Sequence, residues 1–183
     1  MATAANQYCF ALFYSTTATT VEGTANAQMP DVDNFGFGLG VYAFEDSNWT
    51  FAAYGTNSTF AAGRFLSAAQ NADGTTTVFG LPANASAQFV VLGWSVSLGS
   101  SLTELEAALA TGGYGWLGES AVSGPILLGD GVGIPVSDIF GTSSPRIPGF
   151  TLGVIPLVPE PSTFALAAVG LVGCFFCRQR KSV

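Results

Sequence analysis

The alternation of apolar and polar positions is sharpest over Gln88–Ser97. Phe89 and Val91 project to one side, and Val90, Leu92, Trp94 and Val96 to the other. Both sets are apolar, so the period of two predicts a central strand covered on both faces. Shorter stretches of the same kind predict further strands at Tyr8–Tyr14, Phe35–Tyr42, Trp49–Tyr54, Thr59–Leu66, Thr75–Leu81, Tyr114–Leu117, Pro125–Leu128 and Phe150–Leu157. Gly55, Asn57, Asn71, Asp73 and Gly74 punctuate them as turn residues do, and Asp31–Asn34 and Leu128–Gly131 read as turns. Asp31 and Asp33 lack the later ligands and closing Glu of a calcium loop. Ser143–Gly149 is a loop rich in Pro and Gly.

Only one stretch switches to a helical period. Ser101 precedes it with Glu104 three residues on, the spacing of a capping box. Leu102, Leu105, Ala108 and Leu109 form its apolar stripe, and Gly112 supplies the stop. The pattern predicts a mainly β body over residues 1–157: an antiparallel β-sandwich, jelly-roll-like, with one short helix.

The last residues, 158–183, follow a different plan. Val158-Pro159-Glu160-Pro161-Ser162-Thr163 is a proline hinge, which leads into a charge-free apolar run. Phe164, Leu166, Val169, Leu171, Val172, Phe175 and Phe176 carry that run, and Arg178, Arg180 and Lys181 end it. A helix over Ser162–Cys177 would reach about 24 Å at about 1.5 Å per residue, slightly short of a hydrocarbon core of about 30 Å. The plan predicts a single C-terminal transmembrane helix with its basic stop in the cytoplasm and the body on the other side. Hinge, span and basic end in this order resemble the PEP-CTERM sorting domain of Gram-negative bacteria. The match runs through Pro159, Glu160, Pro161, Ser162 and Thr163, then Ala165-Leu166, Gly170-Leu171 and the basic residues. It departs at Cys174-Phe175-Phe176-Cys177 and at Gln179, outside the Pro-Glu-Pro core. The resemblance implies an exosortase, a membrane-embedded cysteine transpeptidase, as processing partner, in organisms that make extracellular polysaccharide. The element order of the body is similar to that of small secreted PEP-CTERM proteins of Verrucomicrobia-like bacteria.

Composition supports an exported body. Charged residues are 9% of the chain, against about 25% in ordinary soluble proteins. Before Pro159 the basic residues are Arg64 and Arg146 alone, which excludes a phosphate-binding footprint and so a nucleic-acid partner. Met1–Gln7 has no positive charge, and Tyr8–Tyr14 is too short and aromatic for a signal h-region. An export leader is therefore expected upstream of Met1.

Candidate chemistry is sparse. The chain has no His, so no Ser-His-Asp or Cys-His arrangement can form. Cys9 stands alone in an apolar run, and Cys174 and Cys177 lie in the apolar span, so neither a metal nor another cofactor is expected. A glycosidase needs only two carboxylates. The candidates are Glu45, Asp46, Asp73, Glu104, Glu106, Glu119, Asp130 and Asp138, most of them beside turn or cap residues. Trp94 reads as core, whereas Trp49 and Trp116 lie in short Gly-flanked strands and are candidates for stacking on a sugar. The expected role is structural or adhesive, in the envelope or the exopolysaccharide matrix, with polysaccharide or other matrix proteins as partners. A carbohydrate-binding module is the alternative, and a glycan-active enzyme comes third.

Overall fold

The computed structural model describes residues 6–21, 42–58, 65–68, 71, 75–130 and 133–155. In chain order the strands are β1 (Tyr8–Ser15), β2 (Thr50–Asn57), β3 (Phe65–Ser67), β4 (Ser86–Ser95), β5 (Gly115–Glu119), β6 (Ile126–Leu127) and β7 (Gly153–Ile155). One helix, α1 (Leu102–Ala110), lies between β4 and β5 after a 3-10 turn at Val96–Leu98. All the strand pairs are antiparallel, and the sheet order is β3-β2-β1-β4-β5-β7, with β6 beside β4.

The two-faced pattern of Gln88–Ser97 has become the centre of this sheet. Every residue from Phe89 to Ser95 is buried. Val90, Leu92 and Trp94 face Cys9, Ala11, Phe13, Leu117, and Leu105 and Leu109 of the helix. Phe89 and Val91 face Tyr14, Ala52, Ile126 and Ile147 on the other side. Val96 leaves the pattern: the chain turns into the 3-10 segment after Ser95, and Val96 is exposed.

On the side away from β1, β4 meets β5 near its end and β6 near its start. Two buried serines bridge the interval. The Val91 N–H donates to Ser120 Oγ (3.0 Å), and the Ser120 N–H donates to the Val91 carbonyl (2.9 Å). Two residues back along β4, the Phe89 N–H donates to Ser123 Oγ (2.8 Å) and the Ser123 N–H to the Phe89 carbonyl (2.8 Å). Each hydroxyl passes its own proton on, to the carbonyls of Ala121 and Gly124. The side chains thus replace a ladder of backbone acceptors along the buried part of β4. Ser123→Ala leaves the buried Phe89 N–H without its acceptor and is expected to cost about 1–3 kcal/mol. A urea midpoint lowered at unchanged slope checks this, and an unmoved midpoint contradicts it.

The helix starts and stops as its sequence predicts. Ser101 caps it, accepting from the Glu104 N–H (3.3 Å). The Glu104 carboxylate reaches one residue further back than a simple capping box, to the N–H and hydroxyl of Ser100 (2.6 and 2.9 Å). These bonds hold the Glu104 carboxyl below its ordinary pKa. At the other end Gly112 takes φ +75°, and the N–H groups of Gly113 and Gly112 return to the carbonyls of Ala108 (2.7 Å) and Leu109 (3.2 Å), a Schellman closure.

Three expectations are corrected. The described strands form one seven-stranded sheet rather than two facing sheets of a sandwich or jelly roll. The helix and residues 42–49 cover one face, and loops from the 126–150 region cover the other. Alternation in the sequence reports which way side chains point but not which strands pair, and β5, β6 and β7 all gather on one side of β4. Thr75–Leu81 is not a strand: a turn at Phe79–Gly80, with Gly80 at φ +89°, ends the extended path. Trp49 precedes β2 rather than opening it. The predicted strand Phe35–Tyr42 lies outside the described residues except for Tyr42, which is not in a strand, and of Thr59–Leu66 only Phe65 and Leu66 are described, within β3.

Candidate functional site

The carboxylates proposed from sequence are mostly engaged in holding the chain's own backbone. Asp130 Oδ1 accepts from the N–H groups of Gly133 (2.7 Å) and Ile134 (2.8 Å), folding its own loop. Asp138 pairs with Arg146 at 3.3 Å on the surface. Glu104 caps the helix, Glu106 is exposed, and Asp73 lies outside the described residues.

Three of the acids come together. Glu119, at the end of β5, accepts the Ala43 N–H at 2.7 Å, although the two are far apart in sequence. That contact seats the segment 42–49, whose turns are closed by Glu45 N–H to Tyr42 carbonyl (2.9 Å) and Trp49 N–H to Asp46 carbonyl (3.0 Å). Glu45 in turn accepts the Tyr42 N–H (3.1 Å), and the buried Asp46 accepts from the Asn48 N–H and side-chain amide (both 2.9 Å). Burial pushes the Glu119 carboxyl up to about 7, against the pull of the Ala43 N–H and with help from the charges of Glu45 and Asp46. Burial also raises Glu45. The arrangement can hold and release one proton near neutrality while bracing a loop. No local signal in the sequence marks it. Among the described residues no group of three His, Cys, Asp or Glu is placed to hold a metal ion.

The two candidate stacking tryptophans part company. Trp49 is 6% exposed, sits in the core against the sheet, and donates its indole N–H to the Thr20 carbonyl (3.1 Å). It presents no face to a sugar. Trp116, on β5, is 43% exposed. Trp94 is wholly buried, as its place in the pattern predicts. Cys9 is buried in the core, and burial raises its thiol pKa, so its reactive thiolate is suppressed.

The remaining candidates lie in the tail. β7 is the outermost strand on its side and ends at Ile155, whose side chain is buried beside β5. Pro159, Glu160, Pro161, Ser162 and Thr163, the apolar residues from Phe164 to Phe176, and Arg178, Arg180 and Lys181 follow and lie outside the described residues. Among those described, no helix is long and apolar enough to cross a membrane. Residues 157–181 match the family model of the PEP-CTERM protein-sorting motif. The tail is a PEP-CTERM motif. It spans the hinge, the charge-free run and the basic end, and the sheet delivers the chain to it within a few residues of β7. No curated protein matches the chain, and no solved structure does.

Proposed function

We infer that the chain is an exported protein, held at its C-terminus by the PEP-CTERM tail and processed there by an exosortase, whose body serves a structural or adhesive role in the envelope or the exopolysaccharide matrix. The observation that carries the reading is the sorting motif at residues 157–181. Its charge-free span and basic end support membrane retention with the body on the non-cytoplasmic side. The structural role is supported by how the body spends its polar groups. Glu119, Asp46, Glu104 and Asp130 hold backbone N–H groups, and Ser120 and Ser123 complete a strand. With Trp49 enclosed, a carbohydrate-binding module would rest on Trp116 without its proposed partner.

The test is Glu160→Ala in a host that carries an exosortase. Two prolines impose an extended hinge around Glu160, the form in which a processing enzyme can grip a chain. The variant is expected to accumulate as an uncleaved, membrane-held chain while the parent is processed. Processing and release of the variant at the parent's rate would defeat the sorting role assigned to Glu160.

A further inference from the structure

The chain leaves β7 beside an exposed aromatic corner of the sheet. Trp116 is 43% and Tyr114 54% exposed, as are Val154 at 43% and Val96 at 46%. Trp116 and Val154 are register partners on β5 and β7 and share a face of the sheet. Tyr114 and Val96 are tied to the same corner: the Trp116 N–H donates to Ser95 Oγ (2.9 Å), and Ser97 Oγ donates to the Tyr114 carbonyl (3.2 Å). The described chain segments that build it, residues 87–103, 107–118 and 147–155, contain no charged residue, and the acids between the first two, Glu104 and Glu106, lie on α1. Glu119, the first acid on β5, stands at the opposite end of that strand from Tyr114.

The sequence limits how far this corner can stand from the apolar run. Phe164 is nine residues after Ile155, a fully extended reach of about 30 Å at most. Any bilayer holding the run therefore lies within that distance of β7.

We propose that the corner centred on Trp116 and Val154 rests on the lipid interface while the tail holds the chain. The proposal rests on reading the tail as membrane-held. Indole and phenol groups carry an apolar body and a polar tip, which suits them to the headgroup level. The lack of charged residues on β7, along β4 and on β5 before Glu119 lowers the desolvation cost that a typical protein surface would meet there.

The test uses the full chain in phosphatidylethanolamine–phosphatidylglycerol vesicles whose acyl chains carry bromine near the headgroups. Trp49 and Trp94 are enclosed by protein, so Trp116 is the tryptophan open to either quencher. The bromolipid is expected to quench the emission and aqueous iodide to lose its effect relative to detergent micelles. In Trp116→Phe the bromolipid-sensitive emission is lost. Val154→Asp, which puts a charge beside Trp116 at an exposed edge position, is expected to restore iodide quenching while the chain still floats with the vesicles. Iodide access to Trp116 that is the same in vesicles and micelles, with the chain afloat, overturns the interface while leaving membrane retention intact. Protection from iodide without bromine quenching assigns the corner to a second copy of the chain and also overturns it. A chain that does not float with vesicles overturns the membrane-held reading itself, and the interface with it.

Discussion

Glu119→Gln is expected to stabilise the protein by up to about 3 kcal/mol at pH 8 and to lose most of that advantage by pH 5. The folded carboxyl is pushed up to about 7, from an ordinary value of 4.5. Below the ordinary value both states hold the proton and the site costs nothing. As pH rises from there towards 7 the unfolded chain releases its proton and the folded chain does not, so the stability present in acid is lost. Above 7 the folded carboxylate ionises beside Glu45 and Asp46, and the loss levels off at its full size. Gln keeps a carbonyl oxygen for the Ala43 N–H, has no proton to titrate and places no charge beside its neighbours. Its weaker hydrogen bond, compared with a carboxylate's, holds the gain below the full linkage value. Glu104, lowered by its bonds to Ser100, bends the pH profile of both proteins alike, whereas Glu45, also raised, is coupled to Glu119 through its charge. The difference between variant and parent in urea denaturation at pH 5, 6.5 and 8 therefore reads Glu119 together with its coupling to Glu45. A difference that stays flat with pH would show that Glu119 is solvated like an ordinary surface acid.

That site also marks where sequence stops being informative. Features written within one turn or one strand were legible: the doubly apolar run ending at Trp94, the Ser101 cap with Glu104, the Gly112 stop, and the hinge, span and basic order of the tail. A sorting signal is read as a linear string, so its meaning survives without a fold around it. Pairing was not legible. The period of two placed Phe89 opposite Val90 but gave no account of β5, β6 and β7 all gathering on one side of β4, and a sandwich was expected where the described residues form one sheet with a helix on it. The serine clips escaped for the same reason, because Ser120 and Ser123 look like loop residues until β4 lies beside them. Glu119 and Ala43 meet across a large sequence gap that no local pattern announces. Trp49 and Trp116 had similar Gly-flanked settings, yet the 42–49 turns carry Trp49 into the core, while Trp116 stands exposed on β5.

Trp94→Ala is expected to be among the most damaging single changes in the body, at about 3–5 kcal/mol, a large share of what a domain of this size can lose. Trp94 is wholly buried on the helix-covered face of β4 and meets the ring of Tyr54 edge-on at 6.5 Å. Tyr54 in turn accepts the Leu102 N–H (3.1 Å) at the start of α1, so the indole supports the contact that seats the helix. Its N–H donates to the Gly99 carbonyl (2.8 Å). Gly99 sits at φ +109°, and a Cβ there would fall 2.3 Å from Glu104 Cβ, so this turn has no other residue that fits as glycine does. Removing the indole empties the core and releases the turn that aims the helix. Trp94→Phe separates the two effects: it refills part of the volume but gives up the bond to Gly99, and it is expected to cost clearly less than Ala. Trp116→Ala, at an exposed position, is expected to move the urea midpoint least of the three in detergent solution. If Trp94→Ala and Trp116→Ala shifted the midpoint equally, burial at the centre of the sheet would not be what gives Trp94 its weight.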